Sequence, residues 1–121
     1  MTIHINDNSQ VSDVQKAFNA LFPYLKIELF KAGYSYHAPL PQRGKLPGYV
    51  YMADLSDKLP EQIELRESMT VLELEKLFED EFGLHLQVFR KSGAVWLETT
   101  ITDSWTLKQQ NEHGMEISVR H

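Results

Sequence analysis

The chain carries five histidines, at positions 4, 37, 85, 113 and 121, and these are its residues best suited to proton transfer or metal ligation. No two of them sit at the helical or hairpin spacing of a metal site, so no metal is expected. His85 has the most promising surroundings. If Ser92-Gly93 is a two-residue hairpin turn, Lys91 pairs with Ala94, which places Phe89 opposite Trp96, Gln87 opposite Glu98 and His85 opposite Thr100. A carboxylate within about 4–6 Å of the imidazole would raise its pKa and poise it for proton transfer. A structural or surface histidine is the simpler reading, and no catalytic role is assigned.

A second cluster lies in a stretch punctuated by proline and glycine, residues 32–48. Here Tyr34, Tyr36, His37, Arg43 and Lys45, with Tyr49 just beyond, bring aromatic, imidazole and cationic groups together. Arg43-Gly44-Lys45 suits a phosphate or carboxylate, and the tyrosines could frame a small ligand. The competing reading is an ordered surface loop whose tyrosines cover the sheet. The chain has no Gly-x-Ser-x-Gly elbow, no phosphate loop and no Gly-x-Gly-x-x-Gly turn, so neither a nucleophile nor a cofactor site is expected.

The elements that must position these groups follow from a repeat. Ile3, Ile5, Val11, Val14, Lys16, Phe18 and Phe22 answer to Ile63, Leu65, Val71, Leu74, Lys76, Phe78 and Phe82, sixty residues later. Each copy, residues 2–31 and 62–91, reads strand, helix, strand. Apolar residues at helical spacing predict helices over residues 10–22 and 70–82. Ser9 or Ser12 would cap the first, with Ser12 and Gln15 at capping-box spacing; Thr70 and Glu73 would cap the second. Pro23 and Gly83 end them. In the strands that follow, the offset falls to fifty-nine, since Leu25, Ile27 and Leu29 match Leu84, Leu86 and Val88. Further strands are expected over 49–53, 95–101 and 115–119, with a short helix starting at Trp105 and ending at Gly114.

Two tandem βαβ units predict a two-layer α+β sandwich, ferredoxin-like, extended by an extra hairpin strand and a C-terminal segment, residues 102–121. The alternative is a β-grasp arrangement of the second half. Its order of elements, with Asp103-Ser104-Trp105-Thr106-Leu107 before a short helix, resembles the ubiquitin-like layout at the level of fold alone. In either case Val14, Phe18, Phe22, Leu74, Phe78 and Phe82 should pack on Leu25, Ile27, Leu86 and Val88.

Composition bounds the rest. A chain of 121 residues is expected to form a single domain. It has no cysteine, which excludes disulfides, thiolate zinc sites and a cysteine nucleophile. The first residues lack the basic and apolar regions of a signal peptide, and no apolar run has the length of a membrane span, so a cytoplasmic location is expected. The net charge of −5 argues against nucleic acid as partner.

The expected sheet register leaves one face, away from the helices, carrying Phe30, His85, Phe89, Trp96 and Glu98, with Tyr24, Lys26 and Glu28 beside them. Three coverings compete for it: the chain's own C-terminal segment or long loop, a second copy or protein partner, or a stacked ligand or nucleic acid. The expectation is a small non-enzymatic binding or assembly domain acting as a homodimer or through a protein partner. The alternative is a small-molecule or anion-binding protein, with an enzyme not excluded, that uses residues 34–49.

Overall fold

The computed structural model describes residues 1–31 and 44–119. Val11, Val14 and Phe18 form the buried stripe of helix α1 (Val11–Leu21). Its cap differs from expectation: Gln10 is the N-cap residue, and its N–H donates to the Asp13 carboxylate at 2.8 Å. The Ser9 hydroxyl instead accepts from the Asn6 N–H at 3.0 Å, inside the preceding turn. Helix α2 (Val71–Phe82) buries Val71, Leu74, Phe78 and Phe82. The Thr70 hydroxyl accepts from the Glu73 N–H, and the Glu73 carboxylate accepts from the Thr70 N–H, both at 3.1 Å. Gly83 closes α2 at φ 66°, a left-handed conformation that glycine adopts without a Cβ penalty.

Strand β1 (Thr2–His4) pairs antiparallel with β3 (Gln62–Glu64). Strand β2 (Leu25–Phe30) pairs antiparallel with β4 (His85–Ser92), which pairs antiparallel with β5 (Val95–Glu98), giving the order β2-β4-β5. A ferredoxin-like sheet would join all four strands of the repeat, but among the described residues no ladder connects these two sheets. A β-grasp second half is not seen either, because β3 takes its partner from the first half. Among the described residues the fold is therefore a mixed α+β arrangement of two antiparallel sheets and three α-helices, the third being α3 (Leu107–Val119).

Both ladders are centred on repeat-equivalent residues. Ile3 pairs with Ile63, and Glu28 pairs with Gln87. A residue can face its own repeat mate in this way only if the copies are related by a local two-fold axis. One core serves both copies: Ile3, Ile5, Ile63 and Leu65 join the helices and the larger sheet in a single cluster. All ten expected core residues are buried. The pairs Phe18–Phe22 and Phe78–Phe82 even repeat their ring geometry, with centroids 5.3 and 5.2 Å apart.

The repeat also has a third part. The Val11 and Ser12 N–H groups donate to the carbonyls of Val50 and Gly48, as those of Val71 and Leu72 donate to Trp105 and Asp103. The Met52 N–H reaches the Ser9 carbonyl just as the Leu107 N–H reaches that of Met69. In each copy a returning segment satisfies the otherwise orphaned donors at the start of the helix. It then plugs the core with a fully buried residue, Met52 or Leu107.

The strand expected over 49–53 is thus a lone bridge, Gln10–Tyr51, followed by a 3-10 turn, Met52–Asp54. The strand expected over 115–119 is helix, because α3 runs straight through Gly114. A Cβ at that position would lie 2.9 Å from the Tyr24 Cβ, 3.0 Å from the Arg90 Cγ and 3.2 Å from the Lys91 carbonyl. Glycine stands there so that α3 can approach the sheet, and it does not stop the helix.

Candidate functional site

The face of β2-β4-β5 turned away from the core is built from alternate residues. Its cross-strand pairs are Lys26–Phe89, Glu28–Gln87 and Phe30–His85 between β2 and β4, and Phe89–Glu98 and Lys91–Trp96 between β4 and β5. The hairpin turn is Gly93-Ala94, with Gly93 at φ 62° and Ser92 pairing with Val95. The expected register, with Lys91 opposite Ala94, is therefore wrong. Moving the turn by one residue shifts each partner on β5 by two, and an even shift preserves the faces. Phe30, His85, Phe89, Trp96 and Glu98 do share one face, but their neighbours differ from those expected.

That difference dissolves the acid–base constellation. His85 lies across from Phe30, with ring centroids 5.7 Å apart. Glu98 pairs with Phe89, four positions along β4, a rise of roughly 13 Å. The Thr100 hydroxyl is buried without a hydrogen-bond partner among the described residues. Phe30 is buried at 2 % exposure but lies outside the central cluster.

The other end of the face is cationic and aromatic. The Lys26 ammonium sits 5.5 Å from the Phe89 ring centroid and 5.2 Å from that of Trp96, with the Lys91 ammonium 6.0 Å from Trp96. Contacts of this kind are worth about 0.5–1 kcal/mol each at exposed sites. Lys26 is on this face as the sequence leads one to expect, and Lys91 is the addition, although alternation along β4 puts it on the face of Phe89.

Covering by the C-terminal segment is ruled out for α3, which packs on the core side of the sheet. The Arg90 guanidinium donates to the Gln110 side chain at 2.7 Å, the Tyr24 N–H donates to the Asn111 side chain at 2.8 Å, and Leu107 is fully buried. Tyr24, expected on the outer face, lies against α3 beside Gly114. Trp105 anchors this segment, 5.7 Å from the Arg90 guanidinium and 5.5 Å from the His113 ring, which it meets edge-on.

The outer edge of β2 is closed by the chain itself. The Gln15 and Asn19 side-chain amides of α1 donate to the carbonyls of Ile27 and Leu25, at 3.0 and 2.8 Å. Further along, the Leu46 N–H donates to the Leu29 carbonyl, and the Lys31 N–H donates to that of Gly44, both at 2.8 Å. Two open clefts flank this edge. One, of about 430 Å³, is lined by Gln15, Glu28 and residues 45–48. The other, of about 300 Å³, is lined by Ser12, Gln15, Lys16, Asn19, residues 26–28 and Trp96.

Lys45, from the candidate ligand cluster, lies 3.5 Å from the Glu28 carboxylate in the first cleft. Tyr49 is exposed. Tyr34, Tyr36, His37 and Arg43 lie outside the described residues, as does most of the 32–48 stretch. Among the described residues no three of His, Asp and Glu are grouped to hold a metal ion, and no helix is long and apolar enough to cross a membrane. No family model, curated protein or solved structure matches the chain.

Proposed function

We propose that the chain is a small non-enzymatic binding or assembly domain, acting through a second copy of itself or a protein partner at the Trp96 end of the outer sheet face. The supporting observation is that Phe89 and Trp96 sit half-buried on the face opposite the helices, with Lys26 and Lys91 over them. Protein interfaces are enriched in aromatic residues, and Trp is prominent among their energetic anchors. Trp96→Ala tests the reading. The variant should keep its melting temperature within a few degrees and lose association by light scattering, or by co-purification where the partner is another protein. A variant that unfolds would make Trp96 a core residue, and one that associates unchanged would move the interface elsewhere.

A second reading is favoured by the cleft of about 300 Å³, where Lys16 and Lys26 stand among amide side chains beside Trp96. Glu28, the carboxylate in the same lining, is paired with Lys45 at 3.5 Å, which leaves the two ammonium groups to suit a small anion. A thermal-shift screen of phosphates, nucleotides and carboxylates would detect it, since a ligand that binds only the folded state raises the melting temperature.

A further inference from the structure

The two edges of the larger sheet are treated very differently. The β2 edge is closed by Gln15, Asn19 and residues 44–46. The β5 edge, Val95-Trp96-Leu97-Glu98, pairs with nothing among the described residues beyond β4. It has neither the proline nor the lysine that commonly protects an exposed edge. It is apolar on the core side as well, where Val95 is 54 % and Leu97 44 % exposed.

The hydrogen-bond phase of this edge can be read directly. The Thr99 N–H donates to the Val88 carbonyl, so Val88–Thr99 is a bonded pair. Bonded and non-bonded pairs alternate along an antiparallel ladder. Arg90–Leu97 and Ser92–Val95 are therefore bonded to β4, while the backbone groups of Trp96 and Glu98 point away from it.

Resting on the assembly reading above, we infer that the partner is a second copy of this chain, joined edge to edge through β5 about a two-fold axis at Leu97. In that register Trp96 lies opposite the second copy's Glu98 and exchanges both N–H···O bonds with it, and Glu98 does the same with the second copy's Trp96. Leu97 faces its own mate in the non-bonded position, which covers apolar surface exposed in the single chain. Side-chain charge fits the same register. Across the outer face one row runs Lys26, Phe89, Glu98, then the second copy's Trp96 and Lys91. Each exposed Glu98 carboxylate then has a lysine two strands away, about 9–10 Å, on either side, where in the single chain lysines lie on the β4 side only. The two sheets become one continuous sheet, with both β2 edges still closed.

The test uses light scattering over a dilution series with two edge variants. Leu97→Cys introduces the only cysteine of the chain. A non-bonded pair holds its Cα atoms about 4.5 Å apart, within the range of a disulfide. Oxidation should then give a covalent dimer, while Leu72→Cys, at an exposed position on α2, should give none. Glu98→Pro removes an outward N–H and none bonded to β4, so it should leave a folded monomer whose melting temperature moves by only a few degrees. The wild-type mass should double with concentration. A monomer at every concentration overturns the inference and leaves a different protein as partner. A dimer that survives Glu98→Pro and does not cross-link at Leu97→Cys also overturns it. If Trp96→Ala then dissolves that dimer, the outer-face reading stands; if not, both readings fall.

Discussion

Glu75 on α2 is a half-buried carboxyl close to a second acid. Its carboxyl is pushed up to about 7, chiefly by burial and secondarily by the neighbouring Asp103. In the unfolded chain the same group titrates near 4.5, its ordinary value. Between those values the folded state holds a proton that the unfolded state has released, so this group makes stability rise as pH falls. The full cost of ionising it is felt above pH 7 and vanishes below the ordinary value. Glu75→Gln should therefore be more stable than wild type at pH 8, by about 1–2 kcal/mol after allowing for partial exposure. At pH 4 the two should unfold together. Urea denaturation at the two pH values measures the difference, and a constant gap between the proteins would show that Glu75 is not the group responsible. The residue scale is also where sequence misled most. His85 and Glu98 were placed on the correct face, but their proximity depended on a hairpin turn that sits one residue further along.

At the scale of elements, α1, α2, β2 and β4 were legible because each declares itself through period: apolar spacing for the helices, alternation for the strands. The reciprocal cap at Thr70 and Glu73 and the left-handed Gly83 were legible for the same local reason. Helix α3 was truncated in the sequence reading because its reason for holding a glycine is not local. Gly114 faces Tyr24 and Arg90, which precede it by 90 and 24 residues. In an exposed helix interior, alanine in place of glycine would gain about 1 kcal/mol. Here the added methyl meets two side chains and the Lys91 carbonyl at 2.9–3.2 Å. Gly114→Ala should instead cost about 1–3 kcal/mol, as overpacking does, and it should loosen the Arg90–Gln110 contact. Equilibrium unfolding decides the sign; a stabilised variant would mean that α3 does not dock so closely.

For the molecule as a whole, the two-fold relation of the copies predicts where stability is concentrated. The repeat was visible in the sequence, but its third part was not. Residues 48–52 and 103–107 correspond through backbone hydrogen bonds, and their side chains have little in common. The axis passes through two ladders of unequal support. The β1–β3 ladder is three residues long on each strand. The β2–β4 ladder carries six pairs and is packed by all three helices. Amide hydrogen exchange should therefore be slowest in β2 and β4 around Glu28 and Gln87, reporting global unfolding there, and faster in β1 and β3 through local opening. The outward amides of Trp96 and Glu98 should exchange fast in dilute solution and become protected as concentration rises, since edge pairing gives them acceptors. Equal protection of both ladders would mean that the smaller one is held by more than its own pairing. Fast exchange at Trp96 and Glu98 at every concentration would leave β5 an open edge.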